Sequence, residues 1–324
     1  MDQPLVTVVI PTFNRPNYLE LALRSAISQS YRNLEILVRD NASDPSTGEL
    51  LRSFQDERVR YLRHPENIGM TRNVVGGFRD AKGKYVTHLH DDDLWAPDFV
   101  QKMVAALEAH PDAILAFSDH YLMNEKGEIL EESAENAVRF GRTELAAGIH
   151  KPFKRIALIR QSVPMAVAIM LRRKSIAWDD FPNLICGYDY WLMYLASRDS
   201  GACYYVPEKL TYYRIHTRSE STQFRVRVNR GFIEIYERML QDERVAEFHD
   251  EFRKLLALHH TEAAIAFLRL GDRPAARKLL RGGTSHGFNI KTPFAYAGSY
   301  LPEFVTRRLP GKLRFPINEN AHRG

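Results

Sequence analysis

The sequence predicts an α/β protein: a mostly parallel sheet covered by helices on both faces, followed by a helical C-terminal region. Three observations lead there. Short β-branched runs alternate with segments of helical spacing over the first 120 residues, the connections between them are short, and from Gln223 on the texture turns helical. Strand–helix alternation of this kind builds a layered sheet, and ligands in such sheets bind beyond the carboxyl ends of the strands, where helix N-termini also point.

The expected strands are VTVVI (6–10), LEILVRD (34–40), VRYLRH (59–64), KYVTHLH (84–90) and AILAFSD (113–119). Between them, apolar residues recur at helical spacing in NYLELALRSAISQS (17–30), TGELLRSF (47–54), MTRNVVGGFRDA (70–81) and PDFVQKMVAALEAH (97–110). The middle, 121–222, is less regular. SVPMAVAIMLRRKSI (162–176) reads as a strand into a turn, YDYWLMYLASRDSG (188–201) as a helix closed by Gly201, and GACYYVPEKLTYYRIH (201–216) as a strand. Beyond the boundary near 222, AAIAFLRLGDRPAARKLLRGG has the form of one helical hairpin, expected to pack back on the body because a lone repeat unit buries no core. The expected organisation is 1–120 and 121–222 as two halves of one domain, with 223–324 as a helical region.

Composition narrows the class. The 324 residues exceed one typical domain of about 100–200, and a hydrophobic content of 44% is enough for a real core. The net charge of +5 is uneven: from Arg269 onward there are 11 Lys+Arg against 3 Asp+Glu, leaving the rest slightly acidic. A basic tail on an acidic body suggests that the tail meets an anionic surface, or else forms a solvated basic helix. The two cysteines, Cys186 and Cys203, offer neither a disulfide framework nor a metal spacing. MDQPLVTVVIPTFN lacks a signal-peptide pattern, and MAVAIML (165–171) falls well short of the roughly 18 residues a membrane span needs. A cytoplasmic protein is expected, with peripheral contact at the inner membrane face. Basic residues are not interleaved with aromatics on one element, which argues against nucleic acid as a partner.

The strand-end rule has a specific consequence. The first strand ends in PTFNRP, the second in RDNASD and the fourth in HDDD, so polar and acidic loops converge on one edge. Three adjacent carboxylates, Asp91, Asp92 and Asp93, repel one another unless they form a solvated turn or something positive sits among them. Mg²⁺ and Mn²⁺ prefer oxygen ligands and commonly bind through one or two carboxylates plus substrate phosphates.

In order and spacing, VTVVIPTFNRPNYLELALRSAISQSYRNLEILVRDNASD, NIGMTRNVVGGFRDAKGKYVTHLHDDDLWAPDFV, YDYWLMYLASR and LTYYRIHTRSES resemble glycosyltransferase family 2, over about residues 4–222. The resemblance implies a GT-A type nucleotide-binding mixed sheet flanked by helices, with an acceptor-binding half. It implies an inverting hexosyltransferase-type enzyme that moves a sugar from a UDP or dTDP donor to a hydroxyl acceptor with Mn²⁺ or Mg²⁺, as in bacterial glycan or glycoconjugate synthesis. Pro11, Thr12 and Phe13 match the loop that holds the base and ribose, Asp40 the aspartate at the base, and Arg72 a basic donor-site residue. Asp91 matches the residue near the donor's ribose or sugar and Asp92 the metal ligand, while Asp93 braces the turn. His216 matches a position that in some members reaches the metal or diphosphate.

Two departures stand out. Where the family carries an acid one place before Asp91, this chain has His90. Where the acceptor-side helix often carries an acidic pair, it has Cys186-Gly187, which makes Asp189 the nearest carboxylate and the candidate general base. Two other functions remain open at this point: sugar-nucleotide binding without turnover, and nucleotidyl transfer, although the Gly-rich arginine-containing loop usual for the latter is absent from VVIPTFNRP.

Overall fold

The computed structural model describes residues 3–164, 168–216, 225–287 and 291–300. They divide into two compact units. One takes the chain up to Asn183 together with Tyr188–His216; the other takes Leu184–Gly187 and the described residues after His216.

The first unit is built on a nine-stranded sheet. Its strands are β1 (Val6–Thr12), β2 (Leu34–Asp40), β3 (Val59–Arg63), β4 (Tyr85–His88), β5 (Leu94–Trp95), β6 (Ala113–Met123), β7 (Gly148–His150), β8 (Ile169–Arg172) and β9 (Ala202–Arg214). The order is β3-β2-β1-β4-β8-β6-β9-β5, with β7 also on β9. Strands β1 to β4 run parallel, as their helical crossovers require. The sheet then becomes mixed: β8 is antiparallel to both β4 and β6, while β6 and β9 pair in parallel through two irregularities near Asp119. The sheet is thus mixed, as the family resemblance implies, with its first four strands all parallel and the β6–β9 pair parallel again. The antiparallel strand arrives after a long excursion through 124–168, whose pairing no local pattern encodes.

Both faces of β1 and β2 are covered, so every one of their residues is buried. Val6, Val8 and Ile10 join Leu34, Ile36 and Val38 in one core with Leu19, Ala22, Leu23 and Ala26 of α1 (Pro16–Ile27) and with Phe99, Val100, Met103 and Leu107 of α4 (Phe99–Ala109). Helix α2 (Pro45–Ser53) adds Leu51 to the same core. The alternate residue Val9 points the other way, toward α3 (Met70–Asp80). There the Gly76-Gly77 pair gives up side-chain volume: a Cβ on Gly77 would lie 2.4 Å from Val9 and 2.9 Å from Arg39. Helix α5 (Glu132–Arg139) covers part of β6, and α6 (Tyr188–Ser197) is buried at every residue except Asp189. A helix that is apolar all round belongs in a core, and its one carboxylate is therefore conspicuous.

Gly201 does not close α6 through a left-handed turn. Ser200 takes that conformation (φ 61°), and Gly201 instead packs under the end of the Ile114 side chain, whose Cδ1 a Cβ there would meet at 2.1 Å and push aside. Of the strand read over 162–176, residues 165–167 lie outside the described set.

The second unit contains α7 (Arg225–Met239), α8 (His249–Arg269), α9 (Arg273–Thr284) and α10 (Thr292–Gly298). Ala264, Ile265, Leu268, Ala276, Leu280 and Ala295 form its small hairpin core. Cys186 lies against Gly231 of α7, where an added Cβ would come within 2.9 Å of the Cys186 carbonyl oxygen. Among the described residues no helix is long and apolar enough to cross a membrane.

Candidate active site

The parallel register brings Thr12 of β1 opposite Asp40 of β2, and Val9 opposite His88 of β4, so the loops after these strands meet at one edge. Pro11 is buried within β1, Thr12 donates its hydroxyl to Asp91 Oδ2 at 2.8 Å, and Phe13 follows with its ring 43% exposed. Asn14 then adopts a left-handed conformation (φ 54°), held by its N–H on Ser43 Oγ at 2.9 Å and by Asp44 N–H on its own Oδ1 at 2.8 Å. Asparagine tolerates this region better than most residues, and the turn delivers Arg15 back over the acidic loop.

Asp40 is fully buried and accepts from Ser43 N–H at 2.8 Å and from the Tyr61 hydroxyl at 2.6 Å. Its carboxylate thus shapes the RDNASD turn, and any further donor would have to share it. Arg72 is exposed on the first turn of α3 and donates from Nε to Asn183 Oδ1 at 2.9 Å.

The three aspartates have different surroundings. Asp91 is buried beside Thr12, and burial, reinforced by the charge of Asp92, pushes its pKa up. Asp92 Oδ2 accepts both Arg15 Nη1 at 2.6 Å and His216 Nε2 at 2.9 Å. Burial alone would raise Asp92, but the His216 hydrogen bond and the charges of His90 and Arg15 outweigh it and hold it low. Asp93 is fully buried: Oδ1 accepts Arg214 N–H at 2.8 Å and so braces the turn, while Oδ2 has no hydrogen-bond partner and lies 3.9 Å from His90 Nδ1. Burial, again with Asp92, drives Asp93 well above the ordinary carboxylate range. Arg214 ties the loop down a second time through Nε on the Asp92 carbonyl at 2.7 Å.

These groups fit a divalent ion. His90, Asp92 and Asp93 each offer one ligand atom, all within 4.8 Å of one another, and Asp93 Oδ2 is a buried oxygen without a hydrogen bond. His216 meets this trio through Asp92.

Asp189 opens α6. Tyr190 N–H donates to its Oδ1 at 2.9 Å, and burial raises its pKa against the opposing pull of that bond and of His90. The preceding Tyr188 hydroxyl meets His90 Nε2 at 2.5 Å, which joins the acidic loop to the start of α6. Below them His88, buried and held well below the usual histidine range by burial, packs among Phe78, His90 and Tyr188.

The structure thus gathers Thr12, Asp91, Asp92 and His216 directly, with Asp189 linked through Tyr188 and His90. Pro11 and Phe13 border the cluster, whereas Asp40 and Arg72 engage other partners. Sequence reading missed Arg15, although PTFNRP places it on the converging edge, and it treated His90 only as a departure.

Residues 7–177 match the family model described as Glycosyl transferase family 2. An uncharacterized glycosyltransferase of Methanocaldococcus jannaschii is 28% identical over 61% of this chain and 67% of its own length. The glycosyltransferase GlyA of Streptococcus pneumoniae is 33% identical over 37% of this chain, but the match spans only 17% of that protein. Among solved structures, S. aureus TarS 1-349 in complex with UDP-GlcNAc superposes with a TM-score of 0.65 at 13% identity, covering 94% of this chain and 89% of that one. The mannosyltransferase PcManGT of Pyrobaculum calidifontis, in complex with GDP-Man and Mn²⁺, gives a TM-score of 0.55 at 18% identity, covering 94% and 84%.

Proposed function

Because the chain belongs to glycosyltransferase family 2, we propose that it transfers a sugar, with inversion, from a nucleoside diphosphate donor (UDP- or dTDP-linked) to a hydroxyl acceptor in glycan or glycoconjugate synthesis. In this reading Pro11, Thr12, Phe13, Asp40 and Arg72 bind the nucleotide, and Asp91 lies near the ribose or sugar. Asp92 and His216, with His90 and Asp93 as further donors, would hold Mn²⁺ or Mg²⁺, which would supply positive charge against the leaving diphosphate. Asp189 takes the proton of the acceptor hydroxyl as its oxygen bonds to the anomeric carbon and the diphosphate departs. The basic C-terminal helices would keep the protein at an anionic membrane face near a lipid-linked acceptor.

The observation that supports this best is the coincidence of a metal-competent cluster of His90, Asp92 and Asp93 with a half-buried, raised-pKa carboxylate on the helix that Tyr188 joins to His90. The test is a panel of UDP-, dTDP- and GDP-sugars with the purified chain and Mn²⁺, scored for released nucleoside diphosphate and for the anomeric configuration of the product. GDP is included because the archaeal neighbour holds GDP-Man. Transfer with inversion that is lost in excess chelator and in Asp92→Asn is expected. Full activity in chelator would remove the metal assignment, and binding without turnover across the panel would reduce the protein to a nucleotide-sugar binder.

A further inference from the structure

We propose that Arg15 makes divalent-metal binding depend on the nucleoside diphosphate, an inference that rests on the metal reading of Asp92 above. Asp92 Oδ2 accepts Arg15 Nη1 at 2.6 Å and His216 Nε2 at 2.9 Å, and the same Nη1 reaches Asp91 Oδ1 at 3.4 Å. A carboxylate oxygen offers about two lone-pair sites, so both sites on this oxygen are taken. A hard cation that takes this oxygen must displace one of the two partners, and one that takes Oδ1 still meets the guanidinium charge beside the same carboxylate. An imidazole such as that of His216 can share a carboxylate with a metal, but the Arg15 guanidinium is a fixed cation and repels the incoming ion. Arg15 is therefore the group that leaves.

It is built to do so. Its side chain is 26% exposed, whereas those of Asp91 and His216 are 7% and 1% exposed, and it hangs from the left-handed turn at Asn14 rather than from the sheet. A diphosphate offers a guanidinium oxygen pairs in the geometry it binds best, which compensates it for the lost carboxylates. Arg15 is thus a resident counter-ion for the crowded aspartates, and it hands them to the metal as it moves to the phosphates. By linkage, the factor by which nucleotide tightens metal equals the factor by which metal tightens nucleotide.

Mn²⁺ binding, followed by the electron paramagnetic resonance of the free ion, tests this on the full chain with and without saturating UDP or GDP. In the parent protein the nucleotide should tighten Mn²⁺ by about 5- to 150-fold, the range of ordinary coupling. Arg15→Gln should bind Mn²⁺ alone several-fold more tightly than the parent, and the nucleotide should then tighten Mn²⁺ by a correspondingly smaller factor, the part that direct contact of metal with phosphate supplies; Arg15→Lys, which keeps the charge, should behave like the parent. If Arg15→Gln binds Mn²⁺ alone no more tightly and the nucleotide effect is undiminished, Arg15 is not a coupling residue while the metal reading stands. Absence of Mn²⁺ binding in every arm overturns both.

Discussion

In the proposed mechanism Asp189 carries the step that separates chemistry from binding. Its carboxylate is the only one on α6, it is half-buried, and its pKa is raised. A general base contributes about 10²–10⁴-fold, so Asp189→Asn should lower turnover by that factor while donor affinity stays nearly unchanged. The pH profile supplies an independent readout. A carboxyl with a raised pKa is protonated at higher pH than an ordinary one, and only its ionised form accepts a proton. Turnover should therefore fall on the acid side above the usual carboxylate range, and that limb should vanish in Asp189→Asn. If the folded variant turns over normally, the residue serves only to cap α6 through Tyr190 N–H, and the base lies elsewhere. The adjacent aspartates were legible in the sequence because three like charges at a strand end need a reason. The ion pair from Arg15 was not, because it depends on the left-handed turn at Asn14, and neither was the Tyr188–His90 link across 98 positions.

At the scale of elements, period and composition revealed what local physics decides. Strands buried on both faces read as continuous β-branched runs, and α1, α3 and α4 appear where apolar spacing places them, within a few residues. The strand at β8 was legible, but its antiparallel place between β4 and β6, the irregular pairing of β6 with β9 and the packing at Gly201 were not, because each is settled by a distant partner. Gly76-Gly77 is the clearest case. In a helix a glycine pair looks like a defect, costing about 1 kcal/mol per residue relative to alanine. Here it admits the Arg39 side chain and Val9 against α3. Gly77→Ala should therefore destabilise despite its better propensity, by the roughly 1–3 kcal/mol typical of an overfilled core. Gly76→Ala meets only the guanidinium end of Arg39, at 2.5 Å, and should cost less. Denaturant midpoints of the two variants check the order, and an equal or reversed order would mean that α3 shifts to absorb the methyl.

For the molecule as a whole, the uneven charge is the feature that sugar transfer alone does not explain. Between Leu270 and Tyr300 the chain carries Arg273, Arg277, Lys278, Arg281 and Lys291 against the single acid Asp272. Arg273, Arg277 and Arg281 recur every four residues on α9, and together with Lys278 they flank the buried stripe of Ala276, Leu280 and Gly283. Beside this cationic stripe, Leu270, Phe294 and Tyr300 are 69%, 63% and 70% exposed, and Arg277 lies over the Tyr300 ring at 4.3 Å. Exposed aromatic and aliphatic side chains beside clustered cations suit the headgroup layer of an anionic bilayer, where each basic residue contributes about 1 kcal/mol. Residues 301–314, the rest of the expected basic tail, lie outside the described residues. Co-sedimentation should show binding to vesicles containing phosphatidylglycerol and little to purely zwitterionic ones, with the difference shrinking at high salt because exposed charges are screened over about 10 Å at 0.1 M. Lys278→Glu with Arg281→Glu should abolish the salt-sensitive part, whereas Phe294→Ala with Tyr300→Ala should weaken binding at both salt levels. If the parent protein binds neither vesicle at either salt level, the stripe is a solvated helix face, and the acceptor must reach the site without help from the membrane.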